Sequence, residues 1–127
     1  MNYLLDAHAL IWYLEESSEL SQKTVGIIDN PDIEVCVCAA SLWELAIKMN
    51  LGKLKLKLSL EELLDCVKTR SFRILNISDA HLLSLQTLPS IHKDPFDRLL
   101  IATALVEGLT IITVDENIQK YNVPWVW

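Results

Sequence analysis

Residues 94–115 read Asp94-Pro95-Phe96-Asp97-Arg98-Leu99-Leu100-Ile101-Ala102-Thr103-Ala104-Leu105-Val106-Glu107-Gly108-Leu109-Thr110-Ile111-Ile112-Thr113-Val114-Asp115. Asp94 is a helix cap and Pro95 suits the first helical position. The pattern predicts a helix from Pro95 to Glu107, stopped by Gly108. Leu109 to Val114 is then a short apolar run rich in β-branched residues, the signature of a buried strand. A helix apolar nearly all round, followed at once by a buried strand, is the unit from which α/β sheets are built.

The same rhythm runs outward in both directions. Toward the N-terminus, strands are predicted at Asn2 to Leu5, Ile33 to Cys38 and Phe72 to Ile77. Helices are predicted at Ala7 to Glu15, Ser21 to Asp29, Ser41 to Asn50, Ser59 to Thr69 and Ser78 to Thr87. Ser59 with Glu62 forms a capping box, and Ser41 with Glu44 fits the same pattern. Toward the C-terminus, Asp115 to Lys120 is a short helix and Pro124 to Trp127 a last short strand. The order implies an α/β fold of three layers: a mostly parallel sheet of about five strands, with helices on both faces. One segment breaks the rhythm. Lys53-Leu54-Lys55-Leu56-Lys57-Leu58 alternates strictly, as an extended strand with three lysines on one face would.

With 127 residues, the chain is expected to form a single domain over residues 1–127. The apolar fraction is 51% and mean hydropathy is +0.27, which excludes a disordered chain. Lys and Arg number 11 against 17 Asp and Glu, a net charge of −6. A simple basic nucleic-acid clamp is thereby excluded. The charge is divided, because residues 48–73 carry seven cations against Glu61, Glu62 and Asp65. Apolar runs are too short for a transmembrane span, and no signal segment is expected. Cys36, Cys38 and Cys66 show no metal-ligand spacing and read as small apolar residues of a reduced, cytoplasmic protein.

Four carboxylates stand out by position. Asp6 follows the first strand and Asp115 the fourth. Glu44 falls in the first turn of the helix after the second strand, and Asp97 in the first turn of the helix before the fourth. Strand C-termini of an open parallel sheet share one edge, where ligands bind. Asp6 and Asp115 should therefore meet there, with Glu44 close. Each acid also has a bland role as a helix cap, a dipole partner or, for Glu44, an ion-pair partner of Lys48. Asp97 resists that reading, because it shares a helix face with the apolar Ile101 and Ala104 and needs a cation. Arg98 points elsewhere on the helix. A bound ion would serve Asp97, Asp6 and Asp115 together, and all-oxygen ligands point to Mg²⁺ or Mn²⁺. With no phosphate-cradling glycine loop, the cluster suggests metal-assisted phosphodiester cleavage. His8, His81 and His92 show no metal spacing and read as structural.

Four blocks, in this order, carry a resemblance: Leu4-Leu5-Asp6-Ala7-His8-Ala9-Leu10-Ile11-Trp12; Ser41-Leu42-Trp43-Glu44; His92 to Ala102 through Asp94-Pro95-Phe96-Asp97-Arg98; and Thr113-Val114-Asp115. Together they resemble the PIN domain, and more narrowly the VapC-type toxins of bacterial toxin–antitoxin pairs. The resemblance covers essentially the whole chain. It implies a Mg²⁺- or Mn²⁺-dependent endoribonuclease that leaves a 5′-phosphate and a 3′-hydroxyl. Asp6, Glu44, Asp97 and Asp115 match the family's acidic quartet, with Thr113 and Asp94 as supporting residues. It also implies a homodimer and a cognate antitoxin, with part of the apolar content, Trp12 and Trp43 included, serving as interface. Lys48, Lys53, Lys55 and Lys57 are candidates for RNA backbone contacts. One departure is Ala7, where the family usually has Thr or Ser. It leaves a non-catalytic PIN-like module, binding RNA or protein, as the alternative. A receiver-like phosphoacceptor domain is disfavoured because only Asp6 stands at the first acidic site and Ile111 to Asp115 offers no Lys.

Overall fold

The computed structural model describes residues 2–127, and its strands form one five-stranded, all-parallel sheet. The strands are β1 (Tyr3–Leu5), β2 (Val35–Cys38), β3 (Arg73–Leu75), β4 (Thr110–Ile112) and β5 (Trp125–Val126). Their order across the sheet is β3-β2-β1-β4-β5. The helices are α1 (Ala7–Leu14), α2 (Gln22–Asp29), α3 (Ala39–Asn50), α4 (Leu60–Thr69), α5 (Asp79–Gln86), α6 (Pro95–Glu107) and α7 (Glu116–Gln119). The three-layer α/β reading of the sequence holds.

The pleat of each strand divides the core in two. Leu5, Val35, Val37 and Ile112 face one way, toward Leu10, Ile28, Leu45, Leu63 and Val67 of α1–α4. Leu4, Cys36, Cys38 and Ile111 face the other way, toward Leu100, Ile101 and Ala104 of α6 and Ile118 of α7. Alternate residues of one strand thus feed two cores. The apolar girth of α6 has a direct cause: α5 packs on it from outside, so residues 100–104 are all buried. Gly108 ends α6 in the left-handed conformation, at φ 68°, which a Cβ would disfavour.

The cysteines are free; Cys36 and Cys38 lie in the core, where burial pushes each thiol up to about 11. Among the described residues no helix is long and apolar enough to cross a membrane.

Two local expectations need correction. Lys53–Leu58 forms no strand and joins no sheet. Its lysines are exposed while Leu54 and Leu56 pack half-buried on the α1–α4 core. Its backbone is held from the side instead, for the carboxylate of Glu15 accepts the Lys57 N–H at 3.0 Å. The third helix begins at Ala39, directly at the end of β2, with Cys38 as a cap residue making no side-chain capping bond. Ser41 is buried rather than capping, and Glu44 falls in the second turn. Trp12 is half-buried, packed between His8 and Trp127 with ring centroids 5.7 Å from each.

Candidate active site

The strand order reverses between β1 and β4: β1 is followed outward by β2 on one side and by β4 on the other. Chains leaving neighbouring strands at such a point diverge, and a crevice opens outside their carboxyl ends. Asp6 leaves β1 there. Its Oδ1 accepts the Ala9 N–H at 2.7 Å and so caps α1. Its Oδ2 accepts the hydroxyl of Thr113, a fully buried residue just past β4. The same Thr113 oxygen accepts the Asp115 N–H at 3.0 Å. Asp115 in turn caps α7 through the Asn117 N–H at 2.8 Å. One hydroxyl therefore ties Asp6 to Asp115.

The other acids arrive on helices. Asp94 caps α6, its Oδ1 accepting the N–H groups of Phe96 at 2.8 Å and Asp97 at 3.2 Å. Asp97, one turn in, meets the Nε2 of His92 at 3.1 Å through Oδ2. Glu44 projects from α3 and receives the Lys48 ammonium at 2.7 Å. A cleft of about 80 Å³ is lined by Asp6, Ala7, His8, Glu44, Lys48, Asp94, Asp97 and Asp115. The structure thus brings Asp6, Glu44, Asp97 and Asp115 together, with Asp94 and with Thr113 behind them.

Capping and clustering coexist here. Asp6, Asp94 and Asp115 each spend one oxygen on a helix N-terminus and leave the second for different work. For Asp6 that second oxygen goes to Thr113. Both oxygens of Asp6 are hydrogen-bonded without help from residue 7, so the Ala7 departure leaves this carboxylate held.

Electrostatics set the site apart from ordinary surface acids. Burial raises the Asp6 carboxyl, against hydrogen bonds from Thr113 and Ala9 that lower it. Burial pushes Asp97 up to about 7, reinforced by the charges of Asp94, Asp115 and Glu44 and opposed by the His92 bond. Lys48 is raised, first by its bond to Glu44. Five carboxylates thus share a small cleft with one ammonium. Such crowding favours either protons or a cation. Hard oxygen donors in this number fit Mg²⁺ or Mn²⁺. His92, Asp94 and Asp97 each offer a ligand atom, all within 4.8 Å of one another.

Some sequence expectations are displaced. Lys48 points into the cleft, engaged with Glu44. Lys55 and Lys57 line a separate groove against Trp12, Glu15 and Glu16 of the α1 end, and Lys53 is exposed outside the acidic cleft. Arg98 does point away from Asp97, as expected, and grips the 88–92 loop. His92 was legible only as a structural histidine, and the structure sets it on Asp97. Its place in the His92–Ala102 block was the available signal. His81 is structural: its Nδ1 accepts the Ser78 N–H and its Nε2 meets Glu107 at 3.0 Å.

The family model for the PIN domain matches residues 3–124. The chain belongs to the PIN domain family. Among curated proteins, this PIN domain is 30% identical over 126 residues to ribonuclease VapC22 of Mycobacterium tuberculosis (strain ATCC 25618 / H37Rv), covering 95% of this chain and 92% of that one. Solved structures show the same fold. One is VapBC2 from Rickettsia felis, bound to a DNA fragment from its promoter, with a TM-score of 0.76 at 16% identity, covering 100% of this chain and 99% of that one. Another is FitAcB from Neisseria gonorrhoeae, with a TM-score of 0.65 at 20% identity, covering 100% and 97%.

Proposed function

We propose that this PIN domain, one domain over residues 1–127, is a Mg²⁺- or Mn²⁺-dependent endoribonuclease and the toxin of a type II toxin–antitoxin pair. The observation that carries the proposal is the convergence of Asp6, Glu44, Asp97 and Asp115 on one cleft at the switch point of the sheet. The name of the M. tuberculosis relative, a ribonuclease, supports the choice of RNA.

Asp6 and Asp97 would hold the ion, with Asp115 and Glu44 completing the set. When bound, the ion supplies Lewis acidity toward the scissile phosphate and lowers the pKa of attacking water. Thr113 keeps Asp6 and Asp115 in register, and Asp94 fixes the start of α6 so that Asp97 faces the cleft. Lys48 offsets Glu44, which reduces the repulsion a polyanion meets on entry. Lys53, Lys55 and Lys57, exposed between α3 and α4, would contact RNA phosphates away from the cleft.

Ala7 motivated the alternative of a non-catalytic module. The two hydrogen bonds that hold Asp6 weigh against it, and the enzyme is the favoured reading.

Two further surfaces support the partners proposed. A groove of about 700 Å³ between the end of α1 and residues 54–57 pairs apolar Ile11, Trp12, Leu54 and Leu56 with charged Glu15, Lys55 and Lys57. That mixture suits a peptide of a cognate antitoxin, and the solved relatives include a toxin–antitoxin complex from Klebsiella pneumoniae. Leu82 and Leu83 of α5 and Leu105 and Val106 of α6 are exposed, which suits a homodimer. Such a protein acts in the cytoplasm.

The test is to incubate purified protein with total RNA, with Mn²⁺ or with a chelator. Cleavage in Mn²⁺, none with chelator, and none by Asp97→Asn in Mn²⁺ is the expected pattern. Cleavage unaffected by chelator would overturn the proposal.

A further inference from the structure

The loop between α5 and α6 is short, irregular and nevertheless fixed. Arg98 is the fixing point. Its Nη1 donates to the carbonyl of Pro89 at 2.9 Å, to the carbonyl of His92 at 3.4 Å and to the hydroxyl of Tyr121 at 3.0 Å. Its Nη2 donates to the Leu88 carbonyl at 3.4 Å. The Tyr121 hydroxyl accepts the His92 N–H at 2.9 Å and lies 3.3 Å from the His92 carbonyl. Tyr121 is itself buried in the α6–α7 core. Both backbone groups of His92 are therefore clamped from residues distant in sequence. The side chain then has one polar contact, Nε2 to Asp97 Oδ2.

We infer that His92 is a positioning residue for Asp97: the Arg98–Tyr121 clamp sets its backbone so that Nε2 donates to one carboxylate oxygen and aims the other at the ion site. This rests on the proposed metal role of Asp97. An arginine spending donors on carbonyls and a buried tyrosine hydroxyl costs conformational freedom, and what it fixes is the backbone of His92. A fixed donor behind a ligating carboxylate explains that expense, because such outer hydrogen bonds orient ligands and tune metal affinity. The helix end alone cannot do this, since Asp94 occupies the first-turn N–H groups of Phe96 and Asp97.

The inference separates positioning from ligation. A ring that only orients Asp97 can be replaced by a side chain that donates from the same place. Glutamine is that replacement, because its amide NH₂ reaches where Nε2 lies.

The test is Mn²⁺ binding to the metal-free protein, measured by calorimetry, with thermal melting beside it. His92→Ala is expected to weaken binding about 10- to 100-fold with little change in melting temperature, and His92→Gln to recover most of it. Tyr121→Phe is expected to weaken binding in the same direction. The double variant His92→Ala with Tyr121→Phe is expected to bind no worse than His92→Ala alone, because both act through one contact. Unaltered binding in His92→Ala, while Asp97→Asn abolishes it, would overturn this inference and leave the metal site standing. Abolition in His92→Ala without rescue by His92→Gln would also overturn it, since the ring would then be a direct ligand. Binding intact in Asp97→Asn would remove the metal site and this inference together.

Discussion

Thr113 and Asp6 stand 107 residues apart in sequence, yet the hydroxyl of one donates to the buried carboxylate of the other. The parallel pairing of β1 with β4, Leu5 opposite Ile112, sets both residues at the same edge. The bond does two things at once. It satisfies a desolvated carboxylate oxygen, and it carries Asp115 with it through the Asp115 N–H.

Removing that hydroxyl should therefore cost stability as well as function. Thr113→Val keeps the shape and leaves Asp6 Oδ2 buried without its donor. A loss of about 1–3 kcal/mol is expected, read by denaturant unfolding, with Thr113→Ser close to the parent. A Thr113→Val protein as stable as the parent would show that the oxygen finds another partner.

Asp97 should weaken the metal-free protein. Its carboxyl sits at about 7 in the fold, against an ordinary value of 3.8. A folded value above the unfolded one favours folding at low pH. The contribution is complete below the unfolded value and is lost as pH rises through about 7. Asp97→Asn removes the charge and its repulsion with Asp94, Asp115 and Glu44. The variant is expected to melt above the parent near pH 8, with the gap closing toward pH 5. Equal melting temperatures across that range would contradict the crowding of charge in the cleft.

Cation binding should show the reverse pH dependence. Deprotonated Asp97 is the form that can ligate, so Mg²⁺ or Mn²⁺ affinity is expected to rise from pH 6 to pH 8. Calorimetry in two buffers of different ionisation enthalpy should count a fraction of a proton released near pH 7, falling away near pH 8.

Lysines outside the cleft should act on RNA affinity rather than on chemistry. Replacing Lys53, Lys55 and Lys57 together by alanine is expected to weaken RNA binding and to flatten its salt dependence, by about 0.7 in log–log slope per lost contact. Cleavage at saturating RNA should change little. An unchanged salt slope would assign these lysines to solubility alone.

Much of this architecture was legible before the structure. Asp94-Pro95 marks the start of α6 and Gly108 its end, and Ser59 with Glu62 marks α4, because caps are local chemistry written in adjacent residues. Once four strands were in place, a parallel sheet put Asp6 and Asp115 on one edge by topology alone. What escaped the sequence depends on tertiary partners. Alternation in Lys53–Leu58 records one wetted and one packed side, and no sheet edge need be present for that. The helix after β2 starts at Ala39 because the chain turns as soon as Cys38 leaves the sheet, so the Ser41–Glu44 pattern misled. His92 lies in a loop without periodicity, and its partner Tyr121 is 29 residues on. Nothing local signals that such a loop is clamped.

The central claim is that the acidic cleft holds a divalent cation between Asp6 and Asp97. Crystals of the protein soaked in Mn²⁺ and measured near the manganese absorption edge test it most directly. An anomalous peak is expected in the cleft, coordinated by Asp6 and Asp97 with Asp115 or Glu44 direct or through water, and no peak in crystals of Asp97→Asn. A Mn²⁺ peak elsewhere, or an empty cleft with Lys48 still bound to Glu44, would contradict it.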